Sequence, residues 1–176
     1  MADIFEDWGK LLALGFLAVA IGLLQDLVPK PAKEWLVFWK CKNRLPGYRA
    51  FSKDRKFSSI ISRQEVVDIS ARESLGERYQ DRLFYQLYDK FREKGNVQHY
   101  SFRYLQWREL AATALIAEFV GGYYIANNVG VFTLEFVKFA SVNMVIVISS
   151  IFAARGAANL LVDYVLLNER LSKGGS

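Results

Sequence analysis

The chain has 176 residues, 52% hydrophobic and 23% charged, with a formal net charge of +5 and a mean hydropathy of +0.09. The apolar runs lie at the two ends and the charge between them, a segregation that points to a membrane protein with a polar domain more than to a soluble globule. A single cysteine, Cys41, excludes an intramolecular disulfide, and with His99 the only histidine, a transition-metal site built from these ligands within one chain is excluded too.

The chain begins with an acidic segment, MADIFEDWGK. From Trp8 to Val28 runs a 21-residue apolar stretch, about the thickness of the hydrocarbon core at roughly 1.5 Å per residue. A cleaved signal peptide begins with basic residues, and this segment does not. Residues 1–28 are therefore predicted to form an uncleaved N-terminal transmembrane helix, ended by Pro29 and Pro31. In KEWLVFWKCKNR, Trp35 and Trp39 lie four apart on one face of a helical turn. Lys33, Lys40, Lys42 and Arg44 surround them, a composition suited to the headgroup layer. Trp8, Trp35, Trp39 and Trp107 all flank predicted crossings and are assigned to the membrane interface. Cys41, in the same basic string, reads as an ordinary reduced thiol.

Pro46-Gly47 is a turn signal within a loop-like stretch over 45–60. Helical periodicity follows from Ser62 to Lys94, with Leu83, Phe84, Leu87, Tyr88 and Phe91 at three and four spacing and Gly95 as a stop. VQHYSFRYLQWREL then leads directly into the next apolar run. Residues 29–108 are predicted to be a basic cytosolic helical domain. Too short and polar for a large core of its own, it is expected to pack against its own membrane helices or neighbouring copies.

Two further crossings are predicted near 109–127 and 132–154, joined at Asn127-Asn128-Val129-Gly130. They form a transmembrane hairpin over 109–158, followed by an amphipathic cytosolic helix and tail over 159–176. Residues 29–109 hold 18 Lys and Arg against 10 Asp and Glu, and the first ten residues are net −2. Positive-inside bias then places the N-terminus outside and the C-terminus inside. The expected fold is an all-α membrane protein with three crossings.

Glu118 lies near the middle of the second crossing. An ionised carboxylate facing acyl chains costs at least a few kcal/mol, so it should face protein or a water-filled path. It is either packing glue, hydrogen-bonded to a neighbouring helix, or part of a pore. Asn143, Ser149 and Ser150 give the last crossing a partly polar side. Ala117 with Gly121, and Ala154 with Ala158, place small residues four apart, which permits close helix approach. Arg92 and His99 are spaced as in the Arg-His pair of HEPN-type ribonucleases, with a helix stop between them. No catalytic triad, phosphate loop or dinucleotide motif is present, so the chain is expected to be no enzyme and to use no cofactor or metal.

Taken in order, PGYRAFS, YQDRLFYQLYDKF and YLQWRELA resemble, at Pro46 to Phe51, Gln80 to Tyr88 and Arg108 to Leu110, a pattern found in a loose group of small bacterial multi-pass membrane proteins. The pattern differs here at Asp81, where it has Asn, and at Glu109, where it has Asp. The resemblance spans roughly residues 44–126 and implies a fold unit with no established activity. The layout is also similar, in architecture alone, to the membrane effectors of anti-phage defence systems. The expectation is a bacterial inner-membrane protein that forms homo-oligomers and perturbs or permeabilises the bilayer. Membrane lipids would be its direct partners, with a cytosolic protein, RNA or nucleotide as trigger. The alternatives are a non-catalytic anchor or scaffold for a cytosolic partner, and a membrane-tethered nuclease using Arg92 and His99.

Overall fold

The computed structural model describes residues 28–40, 45–128, 130 and 133–174. The first predicted crossing, with Trp8, lies outside the described residues, as does Cys41. Among the described residues every regular element is helical and no strand occurs.

Helix α1 spans Lys30–Phe38. Pro29 precedes it in extended conformation and Pro31 sits in its first turn, where a missing N–H costs nothing because no intrahelical partner exists there. The helix ends at Trp39, which adopts a left-handed conformation (φ 52°) and returns its N–H to the Trp35 carbonyl. Trp35 and Trp39 therefore do not share one helical face. The reason is Arg155: its guanidinium lies 4.4 Å from the Trp39 ring centre, and its Nε donates to the Val37 carbonyl at 2.5 Å. A cation closes the end of α1, where the carbonyls are otherwise unsatisfied.

A 3₁₀ turn, Pro46–Arg49, follows. A second, Arg63–Glu65, is held by a reciprocal cap between Ser62 and Glu65. Helix α2 is short, Ile69–Glu73. Helix α3, Glu77–Phe91, is amphipathic as its spacing predicts: Phe84 and Phe91 are buried, and Leu83, Leu87 and Tyr88 pack against the same core. It stops at Phe91, and a new helix, α4, runs from Gly95 to Asn128 without interruption. The continuous run through Trp107 matches the sequence reading, whereas the helix expected over Ser62 to Lys94 is broken into a 3₁₀ turn, α2 and α3, and Gly95 opens α4 instead of ending α3. After the turn, α5 extends from Leu134 to Gly174, 41 residues in a single helix. Thr133 Oγ1 accepts the Phe136 N–H at 3.4 Å at its start.

The first and second resembling strings prove to be one packed unit. Gly47 lies flat against α3: a Cβ there would stand 2.7 Å from both Asp81 Oδ1 and Phe84 Cδ1. Ala50 and Phe51 are fully buried beneath α3, and Gln80 Oε1 accepts the Phe51 N–H at 3.4 Å. The Pro-Gly turn needs glycine for close approach, and Gln80 closes the backbone that this approach buries. Gly47→Ala is expected to cost about 1–3 kcal/mol, because the buried Phe84 ring cannot move aside. A lowered urea midpoint for the purified protein would register it, and an unchanged midpoint would contradict the close packing.

Asp81 is a second pressure point in this unit. Its Oδ1 is buried with no hydrogen-bond partner among the described residues, and burial raises its carboxyl above the usual carboxylate range. A carboxyl whose folded pKa is raised penalises the native state above that pKa and ceases to do so once protonated. Asp81→Asn, which restores the residue of the resembled pattern, is expected to stabilise the fold at neutral pH and to leave it unchanged in acid. Denaturation midpoints compared at neutral and acid pH test this; a gain that persists in acid would show that charge is not the cause.

Candidate functional site

Helices α4 and α5 pack antiparallel along their length, and the character of α5 changes along that length. In its first half, Val142, Val145 and Phe152 are about two-thirds exposed, at 63%, 63% and 62%. In its second half, Val162 and Val165 are fully buried and Leu166 nearly so. Those residues join Ala50, Phe51, Ile61, Phe84, Phe91 and Val97 in one hydrophobic core. The middle block thus lacks a self-contained core, as its composition implies, and α5 completes it.

Among the described residues, α5 is the one helix long and apolar enough to cross a membrane, with a mean hydropathy of 1.9 over its apolar window. Helix α4 does not meet the same measure. Glu109, Glu118, the Gly121-Gly122 pair, Tyr123 and Tyr124 dilute its apolar stretch.

The polar residues singled out within the hairpin come together in part. Asn143 is buried on α5, and its Nδ2 donates to both the Ala114 carbonyl and Glu118 Oε2, each at 2.9 Å. Glu118 is thus hydrogen-bonded across the helix pair, the geometry of packing glue. Ser150 is buried on the same side of α5, whereas Ser149 is exposed and takes no part. Of the small residues, Gly121 gives the tightest approach, since a Cβ there would meet Phe139 Cζ at 2.5 Å. Ala117 is half-buried beside it. Ala154 and Ala158 are fully buried against Val37, Tyr104 and Ala157, with Trp107 packed on the same cluster. Trp35 and Trp39 remain exposed at 49% and 62%.

Below the hairpin, two buried ion pairs fix the loop segments to α5. Asp163 is 1% exposed; it receives Arg55 Nη2 at 2.5 Å and the Ser58 N–H at 3.0 Å. Arg55 also donates to the Ala50 and Asn159 carbonyls at 2.9 and 3.0 Å, so its fork is occupied on both arms. Glu169 receives both Nη atoms of Arg72, each at 2.6 Å. This bidentate pairing combines charge with fixed geometry and holds the Arg72 guanidinium above its usual pKa. Arg72 additionally covers the Phe51 ring, 5.1 Å from its centre. At the junction, Lys33 of α1 pairs with Glu109 of α4, and Glu109 also receives Arg108 at 2.6 Å.

Sequence reasoning missed Arg55, Arg72, Asp163 and Glu169. Their one trace was Asp163 and Glu169 on the apolar face of a helix, six residues apart. Arg92 and His99 are not joined: Arg92 turns to Asp89 on its own helix, and His99 lies edge-on to Tyr100. Among the described residues, no cluster of His, Cys, Asp and Glu suited to a metal occurs.

No protein-family model matches this chain, and neither a curated protein nor a solved structure matches it significantly. The resemblance to small bacterial membrane proteins therefore rests on its three strings alone.

Proposed function

We propose that this chain is a multi-pass protein of the bacterial inner membrane with three crossings, N-terminus outside and C-terminus inside. In this reading copies assemble through the hairpin and perturb the bilayer when the cytosolic domain is triggered, as an effector of anti-phage defence would. The observation that carries the reading is the single helix α5. Its exposed apolar half is about 32 Å long from Leu134 to Arg155, enough for the hydrocarbon core. Its other half is built into the polar domain through Val162, Asp163, Val165 and Glu169. A displacement of that domain has no hinge to absorb it before it reaches the membrane. The exposed apolar residues Phe119, Val142, Val145 and Phe152 suit lipid or a second copy.

The hydrogen bond between Asn143 and Glu118 supports α4 as the partner crossing, because it lets a carboxylate enter the bilayer with a donor already in place. A trigger of protein, RNA or nucleotide character would act on the cytosolic domain. Dye leakage from cells and liposomes after induction tests the reading. Wild type should permeabilise and Glu118→Ala should lose most of the effect; silence of both under every trigger would end the pore proposal. A stoichiometric partner in pull-downs without conductance would favour the anchoring role instead.

A further inference from the structure

A half-open cavity of about 200 Å³ lies where α1, α3, α4 and α5 meet the Pro46–Gly47 turn. It sits just below the end of the apolar half of α5, at the depth of the headgroup layer if the membrane reading above holds. Its walls carry two polar side chains that the fold leaves unanswered. Glu34 is 9% exposed, and its carboxylate makes no hydrogen bond or ion pair among the described residues. Tyr104 is 8% exposed, and its hydroxyl is buried without a hydrogen-bond partner. Burial chiefly raises both Tyr104 and Tyr85 to about 12, with the Glu34 charge adding to it at Tyr104 and the Asp81 and then the Glu34 charge adding to it at Tyr85. Arg108 opposes that rise at Tyr104, by its charge and by a hydrogen-bonding contribution, yet it stands over the ring, 5.8 Å from its centre, and leaves the hydroxyl without a hydrogen bond of normal geometry. Arg108 lines the cavity and gives Nε and Nη2 to Glu109. Lys30 is exposed at the mouth.

A buried hydroxyl costs free energy until something pairs with it, and the Glu34 carboxylate lines the same cavity with no cation paired to it among the described residues. At about 30 Å³ per water in the liquid, the cavity has room for several waters, and so for a small ligand that displaces them. A ligand suited to these walls brings a cation or strong donor to Glu34 and an acceptor to Tyr104, Lys30 and Arg108. It must also tolerate the apolar wall of Phe84, Leu105 and Leu161. We propose that this cavity binds an aminoalkyl phosphate, its ammonium on Glu34 and its phosphate oxygens on Tyr104, Lys30 and Arg108. At this depth the source is an amine-bearing phospholipid such as phosphatidylethanolamine. The proposed depth rests on the membrane reading; the site chemistry does not.

Native mass spectrometry of the full chain in detergent tests it, with dihexanoyl phosphatidylethanolamine, dihexanoyl phosphatidylglycerol and free O-phosphoethanolamine as probes. The expected result is a one-to-one adduct with the ethanolamine lipid that the glycerol lipid does not match. Glu34→Gln and Tyr104→Phe should each weaken it about tenfold, the worth of one charge-assisted or buried hydrogen bond. Equal uptake of the two lipids, or undiminished uptake by folded Glu34→Gln, overturns the proposal. Should Glu34→Gln fail to fold, Lys30→Ala at its exposed position decides, and full retention of binding there counts against the site. Uptake of free O-phosphoethanolamine assigns a soluble source, and uptake of the lipid alone assigns the membrane. Vesicle flotation separates the two readings: a chain that binds O-phosphoethanolamine without floating keeps the site and loses the membrane.

Discussion

Asp163→Ala is expected to cost the folded domain about 3–5 kcal/mol, the usual result of removing one partner of a buried ion pair. The Arg55 side chain is 8% exposed and that of Asp163 1%, so without Asp163 the guanidinium stays desolvated and uncompensated. Burial already lowers the Arg55 pKa, with Asp163 opposing the shift. The Ser58 N–H would lose its acceptor as well. The loss should therefore release the whole 50–60 segment from α5, seen as early proteolysis there together with a lowered urea midpoint. Replacing both partners, Arg55→Met with Asp163→Leu, should recover most of the stability, because no charge is then left buried. A double variant as unstable as the single one would show that geometry, and not the orphaned charge, sets the cost. Glu169→Ala is expected to cost less. Lys173 stands 3.6 Å from Glu169, part of an exposed rim, and Arg72 keeps Asp68 as a neighbouring countercharge.

Phe51→Ala is expected to cost a similar amount, about 3–5 kcal/mol, by a different route. The ring is fully buried. It lies between α3, α5 and the Arg72 guanidinium, so deletion opens a cavity under a charged pair. Phe51→Leu retains most of the volume and should cost less. The two are compared by denaturant midpoint at constant slope. Equal losses would mean that the cation over the ring contributes more than the packing. Because Phe51 and Asp163 sit in one core, their effects should not add. A combined variant that loses the full sum would imply two separate cores.

Much of this architecture is legible along the chain. Leu83, Phe84, Leu87, Tyr88 and Phe91 declare α3 by their period, whereas Gly95, which reads as its stop, is the first residue of α4. The continuity of α4 through Trp107 and of α5 past Arg155 follows from unbroken apolar periodicity. These features are local: they depend on residues three and four apart. Trp39 shows the limit of that locality. Its spacing from Trp35 promises a shared face, but Arg155, 116 positions away, ends the helix one residue earlier and takes the ring.

The resembling strings show a further limit. As text, the Pro-Gly turn and the Gln80–Tyr88 helix are two motifs. In space they are one, because Gly47 lets the turn lie on Phe84 and Gln80 reaches back to Phe51. Glu118 and Asn143 were each visible as polar residues in apolar runs, and burial in an apolar setting demanded partners for both. That each is the other's partner needed the register of α4 against α5.

Composition and period alone thus read the described residues as helical, placed the two long helices after Gly95, and gave the last of them more length than a crossing needs. Hydrophobic spacing and charge segregation are written residue by residue, so they survive without coordinates. Only the tertiary structure decided which charges are buried. Arg55 in a basic loop looks like any solvated cation until Asp163, 108 residues on, is found beneath it. Pairing across such separations depends on packing, which no local spacing encodes. The same holds for Glu34 and Tyr104, ordinary residues in sequence, which the fold brings to one cavity, the Tyr104 hydroxyl without a hydrogen-bond partner among the described residues.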